Sequence, residues 1–171
     1  MTLLRRPALP RATAALLALA GLGVSGLVSA AGRPITHEDL WTFARLSPPA
    51  VSHDGRFAAV VATQPAYDPT QQSADLWLLP TDGQGAPRQL TFSKAAEAGP
   101  VFSPDGTQLA FTVQREGDTA PQVYVLDLRQ GGEPRRVTSI STGARTPQFS
   151  PDGAKLLFVS TVFPDTMNDA D

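Results

Sequence analysis

The sequence predicts an all-β chain: an incomplete β-propeller of four-stranded blades, two in full and part of a third, after an export segment and a short helix. Three observations carry this. Ser103-Pro104-Asp105-Gly106 and Ser150-Pro151-Asp152-Gly153 lie 47 positions apart, each preceded by Phe and followed by an apolar strand pattern. Ser52-His53-Asp54-Gly55 is a weaker third copy. The apolar runs between the turns recur at the same offset, Leu76-Trp77-Leu78-Leu79 with Val123-Tyr124-Val125-Leu126 and Leu90-Thr91 with Val137-Thr138.

Met1 to about Ala30 reads as a secretory signal peptide. Arg5, Arg6 and Arg11 precede the apolar run Ala12 to Val28, and Val28-Ser29-Ala30 offers small residues for cleavage after Ala30 or Ala31. The alternative is a retained membrane anchor, but Gly21, Gly23, Ser25 and Gly26 weaken a spanning helix. Residues 31–45 form an N-terminal segment with a short helix over His37 to Ala44. Thr36 stands at its cap, and Asp39 is placed to reach back to the backbone. Leu40, Trp41, Phe43 and Ala44 give that helix an apolar side, expected to lie against the first sheet.

Residues 46–171 hold the blades. In each turn Pro presets φ, Asp can bond its own backbone, and Gly takes the positive φ that follows, so the chain reverses into a hairpin. Past the second turn Leu109, Phe111 and Val113 alternate with Gln108, Ala110 and Thr112, which places them on opposite faces of a strand. The first copy supplies strands at Phe57 to Ala62, Leu76 to Leu79 and Arg88 to Thr91. The second supplies Leu109 to Val113, Val123 to Leu128 and Arg135 to Thr138. Short strands at Gly99 to Phe102 and Thr146 to Phe149 complete four per unit, and Asp82-Gly83 and Gly131-Gly132 mark the turns before the last strand. Four extra residues in the first copy fall in a surface loop, Gln64 to Ala74. Closing a ring takes about four or more blades, so the expectation is an N-terminal part of a larger protein. A partner covering the open sheet is the alternative.

The 171 residues include no cysteine, which excludes disulfides, thiolate metal sites and a cysteine nucleophile. All 16 acidic residues follow the export segment, which holds three of the 14 basic ones, so the mature chain carries 11 basic residues and a net charge of −5. That argues against a nucleic-acid partner.

The stretches Thr36-His-Glu-Asp-Leu40 and Leu46-Ser-Pro-Pro-Ala-Val-Ser-His-Asp-Gly-Arg-Phe57, followed by Ser-Pro-Asp-Gly blades, resemble the opening of the prolyl oligopeptidase family of serine peptidases. The dipeptidyl and acylaminoacyl peptidase branch is the most similar. The blades taken alone are equally similar to TolB-like periplasmic propellers. The first resemblance implies a propeller that covers a C-terminal α/β-hydrolase domain, admits short peptides and excludes folded proteins, with a Ser-Asp-His triad in the hydrolase domain. The second implies a non-enzymatic module that binds a protein. The signal segment implies a periplasmic or secreted protein with no membrane contact after cleavage.

No residue of the chain matches the triad. Gly23-Val-Ser-Gly26 has the wrong spacing for a nucleophile elbow and lies in the export segment. His37 and His53, the only histidines, have no visible nucleophile and carboxylate around them. Asp54, Asp105 and Asp152 have a sufficient task in their turns. Asp165, Asn168, Asp169 and Asp171 are oxygen-rich but lack the Gly and Glu of a calcium loop. Arg129, Arg135 and Arg136 read as solvated strand surface. The sequence therefore assigns no catalytic, cofactor-binding or metal residue and no cofactor.

Overall fold

The computed structural model describes residues 32–162. The export segment, the Gly23-Val-Ser-Gly26 string and the cluster at Asp165, Asn168, Asp169 and Asp171 lie outside them. The chain divides into two units, Met1–Pro34 and Ile35–Asp171, and the second holds every described strand.

In place of a helix over 37–44 there is a single 3₁₀ turn, Glu38–Trp41. Asp39 does reach back: its Oδ2 accepts the Thr36 N–H at 2.7 Å and the Thr36 hydroxyl at 3.2 Å. Winding stops because the Asp39 carbonyl is taken by both the Thr42 N–H at 3.0 Å and the Thr42 hydroxyl at 2.8 Å. Trp41 stacks on Tyr67 with ring centroids 4.4 Å apart. Leu40 and Phe43, expected to face the sheet, are instead more than half exposed.

Among the described residues eleven strands follow, all pairing antiparallel. The first blade comprises β1 (Arg45–Leu46), β2 (Ala50–Val51), β3 (Phe57–Gln64), β4 (Ser73–Pro80) and β5 (Arg88–Gln89). β1 and β2 are two halves of one inner strand, both pairing with β3 and separated by Ser47-Pro48-Pro49. Proline has no N–H to donate, so the ladder must break there. Ser47 spans the gap, its N–H donating to the Val61 carbonyl and its hydroxyl accepting the Val61 N–H, each at 2.9 Å. The second blade is β6 (Ala98–Phe102), β7 (Gln108–Val113), β8 (Gln122–Asp127) and β9 (Arg135–Arg136), paired in that order. The third begins with β10 (Arg145–Phe149) and β11 (Leu156–Val159).

The three turns are built alike. In the second, the Ser103 hydroxyl donates to Asp105 Oδ1 at 2.6 Å and accepts the Gln108 N–H at 2.9 Å, while Asp105 Oδ1 also accepts the Thr107 N–H at 3.1 Å. Ser52 with Asp54 and Ser150 with Asp152 repeat this. Gly55, Gly106 and Gly153 close the turns at φ 70, 69 and 70°, where a side chain would be strained. The serine is the part that sequence reasoning left without a role. Its hydroxyl replaces a backbone carbonyl as acceptor for the first N–H of the outgoing strand.

Alternation along β7 and β8 divides two cores. Leu109 and Phe111 from β7, with Tyr124 and Leu126 from β8, pack on Ala59, Val61, Leu76 and Leu78 of the first blade. Ala110, Val123 and Val125 turn the other way, toward Phe149, Leu156 and Phe158 of the third. Both faces of the second blade are thus buried, whereas Leu157 and Val159 on the far face of β11 are 69% and 61% exposed.

Two outcomes follow from this packing. Phe111 is fully buried between blades, so Phe111→Ala lowers stability by about 3–5 kcal/mol, and Ser103→Ala, which orphans the Gln108 N–H, lowers it by about 1–2 kcal/mol. Both are read as shifts in the urea midpoint. The Ser103 hydroxyl, then the Thr107 N–H and hydroxyl, hold the Asp105 carboxyl at about 2. A depressed carboxyl contributes stability that is whole above its ordinary pKa of about 3.9 and disappears as pH falls toward 2. Asp105→Asn should flatten the acid limb of the stability profile between those values.

Candidate functional site

The inner strands β2, β6 and β10 stand side by side, and each carries an irregularity in the same place. It falls at Ser47-Pro48-Pro49 in the first blade, Gly99-Pro100 in the second and Thr146-Pro147 in the third. The pairing registers of β6 and β10 slip there. Gly99 sits at φ 58° and Thr146, a β-branched residue, at φ 53°. Such bulges re-aim side chains. Between β6 and β10 they open a cleft of about 460 Å³ lined by Val101, Thr112, Arg145 and Gln148 among others. The Thr112 hydroxyl is buried with no hydrogen-bond partner among the described residues, and Arg145 is exposed. A hydroxyl without a partner among the described residues and an exposed guanidinium suit the cleft to holding a polar or anionic group by hydrogen bonds.

A second group ties the loop after β7 to the outer strands. Asp118, 2% exposed at its side chain, accepts from Arg136 Nη1 at 2.6 Å, from the Tyr124 hydroxyl at 2.9 Å and from the Arg115 N–H at 3.0 Å. Burial pushes its carboxyl up, and these hydrogen bonds outweigh that and leave it lowered. Burial, with the hydrogen bond to Asp118, raises the Tyr124 hydroxyl. Arg115 lies 4.9 Å over the Tyr124 ring and pairs with Glu133 at 3.2 Å. Arg136 is thus a structural partner, while Arg129 and Arg135 are exposed.

A third group is acidic and enclosed. Asp75 on β4 is 7% exposed and Glu97, just before β6, is 2% exposed. Glu97 Oε1 accepts the Ser93 hydroxyl at 2.7 Å, whereas Glu97 Oε2 and Asp75 Oδ1 have no partner among the described residues. Burial raises both carboxyls, and in Glu97 the neighbouring Asp75 charge adds to it. Sequence reasoning missed this pair and Asp118. The pair had a signal in the repeat offset, which sets Asp75 against Gln122 and Glu97 against Ala144.

The residues singled out from sequence are scattered. His37 meets Trp41 and Tyr67 edge-on at 6.3 and 6.5 Å. His53 is exposed at the second position of its turn, beside a different cleft. Asp54, Asp105 and Asp152 sit in their separate turns.

Residues 42–164 match the family described as TolB beta propeller domain. The chain belongs to that family. As a TolB beta propeller domain it is 34% identical over 97 residues to a curated protein named uncharacterized peptidase YuxL, from Bacillus subtilis, covering 57% of this chain and 14% of that protein. It is 41% identical over 71 residues to a TolB homolog from Chlorobium luteolum, covering 42% of this chain and 15% of that one. The alignments span about one seventh of the length of these curated relatives. Among solved structures, Pyrococcus horikoshii acylaminoacyl peptidase superposes with a TM-score of 0.58 at 23% identity, over 78% of this chain and 21% of that one. At that identity the likeness is one of fold.

Thr146 occupies a backbone region that costs a β-branched residue about 1–2 kcal/mol. Set against the chain entropy of glycine, Thr146→Gly should raise stability by up to about 1 kcal/mol, seen as a higher melting temperature. Gly99→Val should lower stability by about 1–2 kcal/mol.

Proposed function

We propose that this chain is the N-terminal propeller portion of an exported serine peptidase of the prolyl oligopeptidase family. Its propeller gates the access of short peptides to a hydrolase domain encoded beyond it. The observation that carries this reading is the 34% identity to a peptidase over 97 residues, and the acylaminoacyl peptidase fold is consistent with it. The chain's share of the enzyme is physical selection. A ring of blades whose inner strands line a narrow passage passes an extended peptide and turns away a folded domain. The bulged inner strands, with Arg145 and the Thr112 hydroxyl, supply the polar lining such a passage needs. The reacting groups lie on the hydrolase domain. The export segment sends the protein to the periplasm or the medium.

A second reading, a non-enzymatic TolB-like module that binds another protein, draws on the 41% identity to a TolB homolog over 71 residues. Reading the gene past Asp171 separates the two. The first expects a hydrolase domain with Gly-x-Ser-x-Gly followed by Asp and then His. The second expects further blades and a stop codon.

The whole gene product should take up a fluorophosphonate probe at that serine and cleave short chromogenic peptides but not a folded protein of domain size. The 171-residue chain alone should do neither. Amino-terminal sequencing of the exported protein should begin after Ala30 or Ala31.

A further inference from the structure

The repeat offset supplies an internal comparison for the enclosed acids. Asp75, Thr91, Ser93 and Glu97 of the first blade correspond to Gln122, Thr138, Ile140 and Ala144 of the second. Two backbone-anchored contacts recur in both, although Gly143 turns at φ 89° where Ala96 does not adopt a positive φ. Thr91 and Thr138 each accept an N–H from the third strand of their blade, Leu76 and Val123, at 2.9 Å. The Glu97 N–H donates to the Ala74 carbonyl at 3.0 Å and the Ala144 N–H to the Pro121 carbonyl at 2.8 Å.

In the second blade the amide of Gln122 completes this frame. Its Oε1 accepts the Thr138 hydroxyl and the Ile140 N–H, and its Nε2 donates to the Ile140 and Ala120 carbonyls. In the first blade the amide becomes a carboxyl, which when ionised cannot donate, and a second carboxyl fills the place of the Ala144 methyl. Two carboxylates enclosed together oppose each other's ionisation. Neither joins an ion pair among the described residues. The charged groups lining the neighbouring cleft with Thr91 and Ser93 are Lys94, exposed on the same loop, and Arg115, Glu116 and Glu133. Arg115 is held by Glu133 and the Tyr124 ring.

We propose that Asp75 and Glu97 hold one proton between them, standing in for the donor of the Gln122 amide and making the junction of the first two blades a pH-sensitive latch. The proton belongs to the pair and not to either residue. With the proton in place, a neutral carboxyl provides the missing O–H. Without it, two charges face each other where Glu97 fastens the start of β6 to β4 through Ala74. The latch therefore loosens the inner strand that lines the candidate cleft. Since burial raises both groups, and in Glu97 the Asp75 charge adds to it, the stability they lend is whole in acid and disappears as pH rises above the ordinary carboxylate range.

Amide hydrogen exchange of the full chain at pH 5 and pH 8, corrected for intrinsic rates, tests this. Protection of the Leu76 and Glu97 amides should fall by about tenfold or more at the higher pH, while that of Val123 and Ala144 stays constant. In the double variant Asp75→Asn with Glu97→Gln the fall should vanish. A wild-type protein in which both blades respond alike, or a double variant that keeps the fall, would overturn the latch. Protection restored at pH 8 by calcium and removed by a chelator would replace it with a cation site. Should the variant not fold, carboxyl carbon NMR of the wild type decides. A titration step above the ordinary carboxylate range at Asp75 and Glu97 supports the shared proton, and two ordinary titrations exclude it.

Discussion

A serine hydroxyl at the head of each turn holds this architecture in register. It donates to the aspartate two residues on and accepts the first N–H of the outgoing strand, so it fastens both sides of the reversal at one atom. Register in a sheet has a period of two, and a slip of one residue would send every side chain to the opposite face. In the second blade such a slip would exchange the Leu109 and Phe111 face with that of Ala110 and Thr112, and neither core would fit. The same hydroxyl-centred turn in all three blades makes their inner strands equivalent and able to stand side by side.

That equivalence shapes the candidate cleft. A proline in each inner strand, Pro49, Pro100 and Pro147, removes a ladder donor at matching depth, and the backbone answers with a break or a bulge. At β6 and β10 these irregularities border the cleft that Thr112, Arg145 and Gln148 line. The two curated relatives differ in kind, one named a peptidase and the other a TolB homolog.

Departures from the repeat are more informative than the repeat. Blade-to-blade agreement reflects what any stacked blade needs: a threonine hydroxyl to extend the outer ladder, and a backbone N–H on the next inner strand to fasten it back. Where one blade exchanges a satisfied glutamine for two enclosed acids, stability alone does not explain the choice, because a carboxylate forfeits donors and resists burial.

The sequence by itself determined the four-stranded blade pattern, the strand borders to within a few residues and the role of each turn glycine and aspartate, because those depend on local φ preferences and on alternation along a single strand. It was right that Leu109, Phe111 and Val113 share a face. It overextended the helix at 37–44, where Thr42 competes for the Asp39 carbonyl, and it could not foresee that Trp41 would stack on Tyr67. Only the tertiary structure decided that Asp118 meets Arg136 and Tyr124, that Asp75 and Glu97 are both buried, and that the inner strands of the three blades stand side by side. Each of those depends on strands from different hairpins or blades being brought together. Such contacts leave no periodic trace along the chain that makes them.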